Sequence, residues 1–120
     1  MELKGLKSGT DVRGTAVEGY GSEVNLGKAE VRAIADAFAA WLRPRVKGNV
    51  VAVGGDSRLS TADIKAIVAD ALTDAGYDVK DCGLCSTPSM FMTTKFPEIG
   101  ACAAVMVTAS HHPAETNGLK

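Results

Sequence analysis

Seven consecutive apolar residues, Ala101-Cys102-Ala103-Ala104-Val105-Met106-Val107, run without a charge and then give way to the polar segment Thr108-Ala109-Ser110-His111-His112-Pro113. Small and β-branched residues in a run of this length suit a strand buried on both faces. Such a strand needs helices above and below its sheet, which narrows the fold class to a layered α/β architecture. Where the strand ends, the chain must emerge at the carboxyl edge of the sheet, and in open α/β sheets ligands bind outside that edge. Ser110, a hydroxyl flanked by the imidazoles of His111 and His112, falls there. Ser, His, Pro, Asn and Gly are also ordinary turn residues, so local composition alone is equally consistent with a plain polar turn.

The rest of the chain supplies the helices and partner strands that this inner strand requires. A short strand is expected from Asp11 to Val17, followed by a loop through Gly19-Tyr20-Gly21. From Lys28 to Arg43, Val31, Ile34, Ala35, Phe38, Trp41 and Leu42 recur at helical spacing, which predicts an amphipathic helix ended by Pro44. Asn49-Val50-Val51-Ala52-Val53 reads as a second strand, with Gly54-Gly55 as a tight turn exposing its amides. Ser60-Thr61-Ala62-Asp63 has the form of a capping box, and Ile64, Ile67, Val68, Ala71, Leu72 and Ala75 continue a helix that Gly76 closes. Tyr77-Asp78-Val79-Lys80-Asp81 alternates as a half-buried strand near the sheet edge would, and a short helix follows from Pro88 to about Lys95. The sequence therefore predicts one domain over residues 1–120, a three-layer α/β/α sandwich around a four-stranded, mainly parallel (mixed) sheet.

Charge and cysteine usage remove several classes of function. Thirteen Lys and Arg against 14 Asp and Glu leave a formal net charge of -1, so neither nucleic acid nor an anionic membrane is an expected partner, and any phosphate recognition must be local. No apolar run approaches the ~20 residues of a membrane span, and the first residues lack a signal-peptide core, which makes a cytoplasmic location the expectation. Three cysteines do not form a disulfide framework. Cys82-Gly83-Leu84-Cys85 has redox-motif spacing, but the better helix start lies beyond it at Thr87-Pro88, which favours a structural or incidental role for both thiols. Arg13, between Val12 and Gly14, suits an anion with its planar guanidinium or is a solvated surface arginine. Asp56 and Arg58 either bind a ligand or pair with each other to shape the turn.

Taken together, Asp11-Val12-Arg13-Gly14, Gly55-Asp56-Ser57-Arg58, Thr108-Ala109-Ser110-His111-x-Pro113 and Asn117-Gly118-Leu119-Lys120 resemble the amino-terminal domain of the α-D-phosphohexomutases, the phosphoglucomutase and phosphomannomutase superfamily. The motifs stand in that family's order across essentially the whole chain. The resemblance implies that Ser110 is carried as a phosphoserine, which exchanges its phosphoryl group with a hexose phosphate through a bisphosphorylated sugar. It implies that Arg13 and Lys120 surround that group with positive charge and assist proton transfer, and that His111 orients the loop or shuttles a proton. Asp56, Arg58, His112 and Asn117 are the supporting candidates. The phosphate on Ser110 would also ligate one Mg²⁺, an ion that prefers hard oxygen ligands. His112 stands where the family most often has asparagine, and no Asp-Gly-Asp-Gly-Asp metal loop is present. The resemblance therefore implies the first domain of a longer, four-domain enzyme, whose later domains supply the main metal ligands and sugar recognition. These 120 residues alone are expected to fold without isomerising hexose phosphates.

Three other functions remain to be weighed on the residues. A stand-alone phosphate- or nucleotide-binding module fits the Gly54-Gly55 segment, although neither Gly-x-Gly-x-x-Gly nor a P-loop occurs. A zinc site built on His111, His112 and a cysteine lacks the usual ligand spacing. A Ser-His hydrolase would need a separated, converging pair, and Ser110 and His111 are neighbours in sequence.

Overall fold

The computed structural model describes Met1–Lys120. After a single 3-10 turn at Lys4–Leu6, the chain forms β1 (Lys7–Ser8), β2 (Asp11–Thr15), α1 (Lys28–Leu42), β3 (Val50–Gly55) and α2 (Thr61–Asp74). It continues through β4 (Asp78–Leu84), α3 (Thr87–Met92), β5 (Ala103–Val107) and β6 (Thr116–Leu119). All six strands join one sheet in the order β1-β2-β6-β5-β3-β4. The β5-β3-β4 half is parallel, whereas β1-β2, β2-β6 and β6-β5 are antiparallel. The sheet thus has six strands rather than the four expected, and it is mixed. The two additional strands are two and four residues long, and β6 reads Thr-Asn-Gly-Leu, a composition with little strand signal of its own. β6 exists because the chain doubles back after Ser110 and finds the free edge of β5, where Met106 and Lys120 exchange two backbone hydrogen bonds at 2.9 Å.

Strand alternation sorts the core into two faces. Val51 and Val53 of β3, with Val105 and Val107 of β5, join the larger cluster beneath α1 and α2, which supply Val31, Ala35, Leu42, Ile64, Val68 and Leu72. Ala52 and Met106 face the other way and pack against Met90 of α3. Each fully buried Val or Leu stabilises the fold by about 1.5–3 kcal/mol, so the α1/α2 side carries most of the apolar stabilisation. Two helices on one face and one on the other make the three expected layers. Trp41, expected on the core face of α1, is 54% exposed and stacks instead on Phe38. The buried stripe runs through Val31, Ala35, Ala39 and Leu42, and Trp41 lies beyond its margin.

Several local expectations are corrected. β2 ends at Thr15 rather than Val17. Gly54 and Gly55 belong to β3 and not to a turn; a Cβ on Gly54 would lie 2.3 Å from Cys85 Sγ, and one on Gly55 2.3 Å from Thr61 Cγ2. Their small size serves close packing rather than amide display. Ser60 makes no capping hydrogen bond for α2: its backbone is helical, at φ -92° and ψ -3°, rather than extended as an N-cap needs, and its hydroxyl accepts from Asn117 Nδ2 at 2.9 Å. β4 runs on past Asp81 to Leu84 at the sheet edge, with one residue of β3, Gly54, opposing two of β4, Cys82 and Gly83, between the pairs Val53–Asp81 and Gly55–Leu84. α3 starts where expected, capped by Ser86 Oγ accepting from the Ser89 N–H at 3.2 Å. Burial pushes the Cys85 thiol above its ordinary 9.0, so it stays protonated at neutral pH, in keeping with a structural role.

Candidate functional site

β5 delivers Thr108, Ala109 and Ser110 to the carboxyl edge of the sheet, where the chain turns sharply. Ser110 has φ +57°, the only non-glycine residue in the left-handed region. A conformation of that kind costs about 1–3 kcal/mol and persists only where its surroundings enforce it. Here a chain of hydrogen bonds does so. The Ser110 N–H donates to Thr108 Oγ1 at 3.0 Å, and the Thr108 hydroxyl donates to Asp56 Oδ2 at 2.6 Å. Asp56 also accepts from Thr61 Oγ1 at 3.1 Å, which ties the end of β3 to the start of α2.

Arg58 clamps the far side of the turn. Its two terminal nitrogens donate to four main-chain carbonyls: Pro113 at 2.8 Å, Thr116 at 3.0 Å, Ser110 at 2.8 Å and His112 at 2.9 Å. Its Nε lies 3.3 Å from Asp56 Oδ2, so the ion pair between the two residues is present alongside the clamp. With its terminal donors committed to the loop and only Nε without a hydrogen-bond partner, Arg58 shapes the backbone. The imidazoles of His111 and His112 stand at the exposed tip. Asn117 is fully buried and faces the other way, donating to Ser60 Oγ and Thr61 Oγ1 at 2.9 and 3.1 Å, so it braces α2.

The cations come from the antiparallel half of the sheet. Arg13 lies directly opposite Gly118, and a Cβ on Gly118 would sit 3.0 Å from Arg13 Cγ and 2.2 Å from the Val12 carbonyl oxygen. The glycine leaves the guanidinium room to cross toward the serine loop, where Arg13 Nη2 donates to Ser110 Oγ at 3.3 Å. The same nitrogen lies 3.4 Å from Asp11 Oδ2, and Lys120 Nζ lies 3.2 Å from that same oxygen. Arg13 Nε is buried without a partner. The fold therefore gathers Arg13, Lys120 and Ser110 within one small space, although 97 residues separate Arg13 from Ser110. Two members escaped the sequence reading, Asp11 and Thr108. Asp11 was legible in principle, since residues two apart on a strand share a face and Asp11 and Arg13 flank Val12. Thr108 carried no signal separable from its turn.

A hydroxyl on a constrained turn, beside a partly unsatisfied guanidinium, is chemically suited to hold an anionic group. Metal binding is a different matter. No group of three or more His, Cys, Asp and Glu side chains is arranged to hold an ion. Asp56, which is bonded to the loop through Thr108, already serves Thr61, Thr108 and Arg58. The side chains present do not by themselves make a magnesium site.

Comparison with known proteins places these features in a family. Residues 6–120 match the model described as phosphoglucomutase/phosphomannomutase, alpha/beta/alpha domain I. The chain is 34% identical over 111 residues to a phosphoglucosamine mutase of Parasynechococcus marenigrum, covering 89% of this chain and 24% of the relative. It is 37% identical over 87 residues to a phosphomannomutase of Salmonella typhimurium, covering 72% and 18%. Among solved structures, a phosphoglucomutase/phosphomannomutase family protein of Burkholderia thailandensis superposes with a TM-score of 0.71 at 30% identity, covering 92% of this chain and 24% of the other. A second, from Thermus thermophilus, gives 0.77 at 26% identity over 96% and 25%. The chain spans a quarter or less of the length of each of these relatives.

Proposed function

The chain belongs to the phosphoglucomutase/phosphomannomutase family as its α/β/α domain I, and on that premise we propose that Ser110 carries the phosphoryl group of a phosphohexomutase. The observation that supports this most directly is the serine itself, held at φ +57° with Arg13 on its hydroxyl. Phosphoserine at 110 passes its phosphoryl group to a free hydroxyl of a hexose monophosphate. The bond from phosphorus to the serine oxygen breaks, one to the sugar oxygen forms, and the hydroxyl proton is taken up within the site. The bisphosphorylated sugar turns over and returns its other phosphoryl group to Ser110, leaving the isomeric monophosphate. Catalysis of such a transfer is chiefly positioning and charge stabilisation. Arg13 and Lys120 neutralise the migrating group, and His111, exposed at the turn, orients the loop or shuttles a proton.

Magnesium, when bound, would spread charge on the transferring phosphoryl oxygens, with the phosphate on Ser110 as this chain's contribution to its ligands. Since the matched stretch makes up only 24% and 18% of the two mutase relatives, the remaining metal ligands and the groups that select the sugar are proposed to come from further domains. The reading is tested on the full-length protein purified from its own host by intact mass and peptide mapping. The expected result is one phosphate on Ser110, absent in Ser110→Ala; a phosphate mapped only to another residue would overturn it.

A further inference from the structure

We propose that Asp11 is the resting counter-ion of the site: it holds Arg13 and Lys120 while Ser110 is bare and gives them up to the phosphoryl group when Ser110 is loaded. This inference rests on the reading of Ser110 given above and adds a positioning residue to it. The geometry follows from strand register. Val12 pairs with Leu119, so Asp11 lies opposite Lys120 one step further along the same ladder, and Asp11 and Arg13 share a face. One carboxylate oxygen, Asp11 Oδ2, faces both cations, at 3.4 Å from Arg13 and 3.2 Å from Lys120. Asp11 and Arg13 are each only 17% exposed and Lys120 31% exposed, so solvent alone does not supply the missing anion.

The contacts also have the character of an exchangeable set. Charge-assisted N–H to oxygen bonds usually close to about 2.7–2.9 Å, whereas all three contacts here are longer, including Arg13 to Ser110 at 3.3 Å. Arg13 Nε is buried and unpartnered. The guanidinium therefore has a donor that no protein group uses, on the same side chain whose Nη2 reaches the serine hydroxyl. Two cations against one carboxylate leave a net charge of +1, and a phosphate bringing about -1.5 to -2 would draw both cations toward it. With Asp11 present, the cations have a partner in both states of the serine. The energetic gap between the loaded and bare states is thereby narrowed, which suits a group that must leave as readily as it arrives.

Asp11 and the phosphate then compete for the same partners, and their effects on stability must be non-additive. The experiment compares melting temperatures of the chain with serine or genetically encoded phosphoserine at 110, in metal-free buffer. Asp11 is retained, replaced conservatively (Asp11→Glu) or removed (Asp11→Asn and, independently, Asp11→Ala). Phosphorylation is expected to raise the melting temperature by about 3 °C more in the two removal variants than in the parent or in Asp11→Glu. Equal rises across all four would overturn the counter-ion role, since a carboxylate that only supports the fold adds independently of the phosphate. Arg13→Gln and Lys120→Met separate the two readings. Both should diminish the rise; a rise unchanged in both would remove the underlying picture of the phosphorylated site, and this inference with it.

Discussion

Ser110 is a residue whose local conformation is opposed by its own Cβ. At φ +57° a glycine would sit without strain, and the chain uses glycine at the six other positions of positive φ. That a serine occupies this position, held by Thr108 and Asp56, indicates that its hydroxyl is worth the conformational penalty. Ser110→Gly is accordingly expected to stabilise the chain by about 1 kcal/mol while abolishing any phosphate on the loop. Urea denaturation measures the first effect and intact mass the second. A destabilised glycine variant would mean that the hydroxyl contributes to the fold through its contact with Arg13 more than its backbone costs.

At the scale of elements, the serine loop is a segment with little apolar anchorage, stapled between two neighbours by Arg58 and by the β5-β6 ladder. A comparable tie holds the opposite edge of the sheet, where Lys65 of α2 reaches Asp81 of β4 at 2.7 Å. The Lys65 hydrogen bond, assisted by the Gly83 N–H, holds the Asp81 carboxyl below its ordinary 3.8. A carboxylate whose folded value is depressed contributes stability that is present above the unfolded value and is lost as pH falls through the folded one. The stability difference between the parent and Lys65→Met is therefore expected to shrink as pH is lowered from about 5 to about 2. Because Asp81 is exposed, the effect is small and should weaken further in high salt. A difference that is constant across that range would assign the role of Lys65 to packing of its alkyl stem.

For the molecule as a whole, the sheet divides into two halves with different tasks. The parallel strands β3, β4 and β5, covered by α1 and α2, hold the main core. The antiparallel strands β1, β2 and β6 hold little of it and bring Asp11, Arg13 and Lys120 to the end of β5. The site therefore depends on a complete sheet, and Ser110 stands exposed upon it. The purified 120-residue chain is expected to unfold cooperatively in urea and to show no isomerisation of hexose phosphates in a coupled assay. Turnover by these residues, in a preparation free of host mutase, would contradict the division of labour proposed between this domain and the rest of a longer enzyme.

The sequence by itself determined the α/β class, the three helices, the inner strand and the serine at its end, because each is written in local periodicity or in a run of residues with one physical character. The apolar run from Ala101 to Val107 announced the inner strand, which occupies Ala103–Val107 of it, and the helices from Lys28 and from the Ser60 region carried their own apolar stripes. Tertiary structure alone decided the strand count, the use of Gly54, Gly55 and Gly118 as contact points, and the place of Asp11 between Arg13 and Lys120, whose gathering at Ser110 the family resemblance had implied. The physical reason is that β6 has almost no strand propensity and acquires its form from an edge that exists only once β5 is in place. A register between segments a hundred residues apart is likewise set by pairing and packing, which no local pattern encodes.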